Sequence, residues 1–205
     1  MATQTQTASA LDTFISKTRV LFASEPDLDR RWAALAPILS ELLADPEVQA
    51  ASAGWPNCVP SDGRAENLLF YEDPDYKFAI NGLTKASEGY GTQNRIHDHA
   101  HIYTLYGVLD GHEQIVRYER LDDRSRAGYA EIRETAEMHV GPGQIDLVKP
   151  YEIHTENSLG ERTVAAIIRS EKSGGFNQGR YDLVTNRYWE SLGPKQTPTE
   201  MLPKR

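Results

Sequence analysis

A single cysteine, Cys58, rules out any disulfide within this 205-residue chain. Basic excess is missing too: 22 Lys and Arg stand against 30 Asp and Glu, a formal net charge of −8. That balance argues against nucleic acid or an anionic membrane as the main partner. No apolar run approaches the roughly 20 residues of a membrane span. The start, residues 1–9, has neither the basic opening nor the apolar stretch of a secretion signal, so a disordered tail and a cytoplasmic location are expected. There is no internal repeat, and no Ser, Lys or Cys in a nucleophile-plus-base pattern. Gly89-Tyr90-Gly91 is too short to cradle a phosphate.

The chain divides in two by pattern. Residues 10–60 read as a helical segment packed on a β-rich body. Leu11, Phe14, Ile15, Thr18 and Leu21/Phe22 recur at helical spacing up to Pro26. From Asp27 to Ala44, Leu28, Trp32, Leu35, Ile38/Leu39 and Leu42 share one face, with Pro37 expected to kink or split the helix. A short third helix comes after Pro46.

Residues 61–190 change to short runs of β-branched and aromatic residues. Strands are expected at 66–72, 76–83, 95–109, 113–120, 130–138, 144–148, 163–169 and 181–188. Turns fall at Asp73-Pro74-Asp75, Glu88–Gly91, Asp110-Gly111, Gly141-Pro142-Gly143 and Gly160, and Asp110-Gly111 is a strong hairpin signal. Residues 191–205, with Pro194, Pro198 and Pro203, read as a strap or tail. The fold class expected is mainly β: a barrel or jelly roll carrying N-terminal α-helices.

The chemistry concentrates in histidines. His97, His99 and His101 alternate ahead of the strand-like run 102–109, and His154 lies beyond them in Pro150–Asn157. Side chains at i and i+2 of a strand point the same way, about 6.5–7 Å apart. Two imidazoles on one face can therefore converge on one cation, each nitrogen about 2 Å from it. A third imidazole from another strand leaves positions open for substrate, water or O2.

The stretch Gly89–Gly111 resembles the first motif of the cupin superfamily: a glycine-rich lead-in, His-x-His and a strand closed by glycine. Gly141–Asn157 resembles the second, with a glycine turn, Pro150, His154 and Asn157. More narrowly, His97-Asp98-His99 and the sequence through Gly111 look like the cysteine dioxygenase and 3-mercaptopropionate dioxygenase family, over roughly residues 60–185. The resemblance implies a cupin double-stranded β-helix, metal ligands at His97, His99 and His154, and Fe(II), with Ni, Zn, Cu and Mn as alternatives. Many cupins place a glutamate about four residues after the second histidine. Tyr103 stands there, which favours a neutral three-histidine face.

Two departures bear on the substrate. Ala166, Ile168 and Ser170 occupy the positions of the family's Ser-His-Tyr relay. Asn67–Phe70 lacks the arginine that holds a carboxylate in cysteine dioxygenases.

Other residues are assigned by alternation or chemistry. His101 is expected on the histidine face as an acid–base group or substrate contact, with a fourth metal ligand as the alternative. Tyr103 and Leu105 should continue that face into the pocket, with Tyr103 bonded to bound oxygen or substrate. Arg180, with Arg95 as the weaker candidate, would hold a carboxylate. Tyr71 and Ile168, and further out Tyr90 and Tyr188, are candidate pocket walls. Asp98 points to the opposite face and is structural, while His112 and His139 sit at solvent-exposed turns.

The reading is a mononuclear non-haem iron dioxygenase acting with O2 on a small chelating thiol carboxylate, giving a sulfinate. Oxygen-dependent cleavage of a diketone or enol, a metal-dependent isomerase or lyase, and a non-catalytic ligand-binding module are the alternatives. Expected partners are a small molecule and O2, without nucleic acid or membrane, and a homo-oligomer is open.

Overall fold

A computed structural model describes residues 8–61, 64–86 and 96–203. Three helices come first. Helix α1 (Ala10–Ser24) opens on a capping box: Ser9 Oγ accepts from Asp12 N at 3.1 Å, and the Asp12 carboxylate accepts from Ser9 N at 3.2 Å. Ser9, expected in the tail, is thus the residue that starts the helix. Helix α2 (Leu28–Leu43) begins at Asp27, which accepts from Arg30 N at 2.9 Å. It runs through Pro37 as one helix, contrary to the expected break. Trp32 and Leu35 before the proline, and Leu39, Leu42 and Leu43 after it, are all buried, and that shared apolar stripe holds both halves to one surface. Helix α3 (Pro46–Ser52) starts with Asp45 as cap and proline in the first turn.

Among the described residues twelve strands come after the helices: β1 (Glu66–Glu72), β2 (Ala79–Lys85), β3 (Ile96–His97), β4 (Thr104–Asp110), β5 (Glu113–Arg120), β6 (Ile132–Val140), β7 (Ile145–Val148), β8 (Ile153–Ser158), β9 (Thr163–Arg169), β10 (Asn177–Asp182), β11 (Arg187–Leu192) and β12 (Lys195–Pro198). One sheet has the order β12-β1-β2-β9-β4-β7 and the other β11-β10-β3-β8-β5-β6. Within them β2 to β9 form two facing four-stranded sheets, β2-β9-β4-β7 and β3-β8-β5-β6, between which the chain passes repeatedly. This is the jelly-roll connectivity of a double-stranded β-helix, the cupin fold. β1 and β12 widen the first sheet; β10 and β11 widen the second.

Three expected segments differ. The strand expected at 95–109 is two strands in different sheets, β3 and β4, because the chain turns at 98–103. Ala100 takes φ 53° there, and the Asp98 carboxylate fastens the turn by accepting from Ala100 N at 2.8 Å, Gly179 N at 3.0 Å and Tyr181 Oη at 2.7 Å. The single strand at 181–188 is instead a hairpin of β10 and β11, turned where Asp182 accepts from Val184 N and Thr185 N. The C-terminal strap is anchored: β12 runs parallel to β1, and Trp55 Nε1 donates to Met201 O at 3.0 Å.

The helices cover the outer face of the first sheet. Gly82, Ala166 and Gly107 lie in one register row across β2, β9 and β4. A Cβ on Gly82 would lie 2.5 Å from Phe70, and one on Gly107 2.7 Å from Leu43. These small residues therefore mark the face on which α2 and the aromatic side chains sit. By alternation Asn81, Leu83, Lys85, Ile167, Arg169, Thr104 and Tyr106 face the barrel interior.

The β4–β5 hairpin turns at Asp110-Gly111 as the sequence predicts. Gly111 has φ +75°, and a Cβ there would lie 2.3 Å from Arg162 O. Gly111→Ala is expected to lower stability by about 1–3 kcal/mol, read from urea denaturation; an unchanged midpoint would contradict the strain.

Candidate metal centre

β3 is only two residues long, yet it places three functional side chains. It pairs with β8 so that His97 opposes His154, and with β10 so that His97 opposes Arg180. Directly opposed residues share a face, so His97, His154 and Arg180 all project into the barrel. His99 enters from the turn after β3. The ring centroids of His97, His99 and His154 are 4.5, 4.8 and 5.1 Å apart. His97 Nε2 and His99 Nε2 are 3.2 Å apart, and ligand atoms of all three rings lie within 4.8 Å of one another.

This donor set fits a cation. Nitrogens about 2 Å from one ion sit about 3 Å from each other, which the first pair already meets. His154 Nδ1 donates to Glu152 O at 3.1 Å, fixing the tautomer that leaves the Nε2 lone pair on the inner side. That buried Nε2 has no hydrogen-bond partner. His99 is buried, and burial first, then the nearby His154 and His97, push its pKa well below the usual imidazole value, outweighing Glu156. It is therefore neutral, the form that ligates a metal. The cluster could hold a metal ion, and imidazole suits Fe, Ni, Zn and Cu alike.

The three histidines converge as expected, and one residue that the sequence did not single out lies beside them. Glu156 lies two positions beyond His154 on β8, on the same side, with Oε1 3.6 Å from His154 Nε2. Burial raises its pKa, but the interaction with the nearby His154, then Lys85 and His97, outweighs that and holds the carboxyl well below its ordinary range. Many cupins carry a carboxylate four residues after the second histidine; here Tyr103 stands there, and the carboxylate nearest His154 comes from β8. Counting i+2 from His154 would have found it.

His97 and His99 open on a cavity of about 140 Å³. Glu156, Lys85, Arg169 and Arg180 form its charged wall, beside His97, His99, Asn67, Gln178, Leu83 and Ile167. Lys85 Nζ is 2.9 Å from Glu113 Oε1, which also accepts from Tyr106 Oη and Thr163 Oγ1. Arg169 donates to Asn81 Oδ1 at 2.7 Å. Arg180 donates to Ser191 Oγ at 3.1 Å and Gln178 Oε1 at 3.3 Å. With Glu113 committed to Lys85, cations outnumber anions on the wall, so the space suits a small anion. A larger groove of about 880 Å³ lies on the outside, between the start of α1, α3 and residues 199–203, away from all three histidines.

Several predicted site residues lie elsewhere. His101 falls in the turn after His99, half exposed, 3.1 Å from Glu171 and against Phe176; the strand alternation that placed it with the other histidines ends at His97. Tyr103 stacks on Trp32 with centroids 5.7 Å apart, and its hydroxyl donates to Asp29 at 2.8 Å, so it ties α2 to the barrel rather than lining the cavity. Leu105 and Ile168 oppose each other across β4 and β9 on the helix-covered face, in phase with Gly107 and Ala166. Their neighbours Ile167 and Arg169 line the cavity instead. Tyr71 accepts from Arg19 at 3.2 Å and donates to Asp73 at 3.1 Å, fastening α1 to β1. Tyr188 packs on Tyr181, outside the cavity. Arg95 and Tyr90 lie outside the described residues. Of the relay positions, Ala166 and Ile168 face the helices, and Ser170 Oγ accepts from Tyr103 N at 3.1 Å. Asp98 plays the structural part expected of it, and His112 and His139 are exposed.

No protein-family model and no curated protein matches the chain. Among solved structures, the cupin domain of Schizosaccharomyces pombe Cnp3 is similar at 7% identity over 52% of this chain and 64% of that one, with a TM-score of 0.38. A protein from Klebsiella pneumoniae with a double-stranded β-helix domain is similar at 16% identity over 67% and 91%, TM-score 0.37. A cupin-2 domain protein from Shewanella frigidimarina aligns at 14% identity over 53% and 82%, TM-score 0.35. The chain spans less than two thirds of the first of these. The class of fold rests on the strand order, and the chemistry on the site itself. No helix among the described residues is long and apolar enough to cross a membrane.

Proposed function

We propose that this chain is a mononuclear metal-dependent dioxygenase, with Fe(II) as its ion, that adds O2 to a small anionic substrate. The observation that carries the reading is the convergence of His97, His99 and His154 on one another, beside a cavity of about 140 Å³ that His97 and His99 line together with Lys85, Arg169 and Arg180. The ion, when bound, supplies redox capacity and holds both reactants within bonding distance. His97, His99 and His154 hold it, and Glu156 places one negative charge beside it. Arg180, level with His97, orients a substrate carboxylate through its planar fork. For a thiolate substrate the balance is RS⁻ + O2 → RSO2⁻. The partners proposed are such a small molecule and O2, in a cytoplasmic setting, without nucleic acid or membrane.

A second reading has its own support. Glu156 is the one carboxylate on the cavity wall among the described residues, so it is the group to take a proton in a metal-dependent isomerase or lyase reaction. The test is metal analysis of the purified protein, then turnover of small thiol carboxylates and diketones with and without O2, measured by mass spectrometry. Stoichiometric oxygen uptake supports the dioxygenase; equal turnover without oxygen selects the second reading. Arg180→Ala is expected to raise KM for a carboxylated substrate about 10-fold or more with a smaller change in kcat. An unchanged KM removes its role.

A further inference from the structure

Two neutral side chains on the cavity wall take no part in the proposed chemistry, and each has one unsatisfied atom. Asn67 and Gln178 are 3% and 1% exposed, and Asn67 Oδ1 and Gln178 Nε2 have no hydrogen-bond partner. Their orientations are dictated by their other ends. Asn67 Nδ2 donates to Glu66 O at 3.0 Å; a carbonyl only accepts, so the amide oxygen must be the free end. Arg180 donates to Gln178 Oε1 at 3.3 Å; a guanidinium only donates, so Gln178 Nε2 must be free.

Both side chains face inward. Gln178 shares a side of β10 with Arg180, which opposes His97. Asn67 alternates with Leu68, whose partner Gly82 lies on the outer, helix-covered face. The cavity therefore presents one spare acceptor and one spare donor beside its cations. Leaving such buried groups unpaired is costly.

A carboxylate accepts but cannot donate, and an ammonium donates but cannot accept. A hydroxyl does both. We propose that Asn67 and Gln178 form a hydroxyl-recognition subsite, so that the ligand of this cavity is a short hydroxycarboxylate: its carboxylate meets the cations and its hydroxyl bridges the two amides. The proposal rests on the cavity being the substrate site.

The test is calorimetric binding of 3-hydroxypropionate against propionate, and of 4-hydroxybutyrate against butyrate, to the metal-loaded full chain. In at least one pair the hydroxylated acid should bind about 10-fold or more tighter. Asn67→Leu and Gln178→Met should each shrink that preference to about 2-fold or less, read as the affinity ratio within each variant, because Gln178→Met also removes a partner of Arg180. Hydroxyl preference arising from direct chelation of the metal would survive both substitutions. The proposal is overturned if the parent shows no preference, if neither acid of either pair binds, or if the preference persists in a folded variant. Should Asn67→Leu fail to fold, Gln178→Met alone decides. Metal content and oxygen uptake are measured separately: their failure alongside an intact hydroxyl preference removes the dioxygenase reading and leaves the subsite standing.

Discussion

His154→Ala is expected to cut bound metal from about one ion per chain to near zero. His154 is wholly buried on the central strand β8, and its Nδ1 is committed to Glu152 O, so its Nε2 is the donor facing His97 and His99. The variant leaves two of the three converging imidazoles, and Glu156 is not among the ligand atoms that converge, so the set falls below the three protein ligands of an open metal site. The measurement is elemental analysis after metal loading and desalting, together with circular dichroism to show that the barrel persists. Stoichiometric metal in a folded His154→Ala variant would remove the site and the proposed reaction with it. Exposed His101→Ala is the matched control and should retain full metal content, since its ring turns to Glu171 and Phe176.

Glu113→Ala should produce the largest loss of stability. The Glu113 side chain is fully buried and that of Lys85 5% exposed, with 2.9 Å between Oε1 and Nζ. Removing the carboxylate strips a buried ammonium of its counter-charge and leaves the Tyr106 and Thr163 hydroxyls without their acceptor. Breaking one side of such a pair costs about 3–5 kcal/mol. Replacing both partners with apolar residues, Lys85→Met with Glu113→Leu, should recover more than half of that loss, because no uncompensated charge remains. Denaturant midpoints of the two singles and the double close the cycle. A Glu113→Ala variant destabilised by less than about 1 kcal/mol would mean that Lys85 finds an alternative counter-charge or reaches water.

Part of this site is legible in the sequence. The spacing of His97 and His99, with His154 after a glycine turn, points to three imidazoles meeting inside a sheet, and they do. Arg180 is singled out by its chemistry and lies in register with His97. The errors at His101, Tyr103 and Leu105 share one origin. Alternation extends from His97 through Leu105 only if one strand runs the whole way, but the Asp98-fastened turn moves the chain from one sheet to the other. The inward phase then falls on Thr104 and Tyr106, while Tyr103, Leu105 and Ile168 meet the helices.

Local pattern and turn chemistry determined the helical start, the hairpin at Asp110-Gly111 and the mainly β body, and two motif resemblances pointed to the three clustered histidines, because each of these signals is carried by residues near in sequence. Only tertiary structure decided which charges surround them. Glu156, Lys85, Arg169, Asn67 and Gln178 come from β8, β2, β9, β1 and β10, and nothing local in the chain says that these strands share one interior. Strand order and register bring them together, and a one-residue change of phase would have turned each of these side chains away from the cavity.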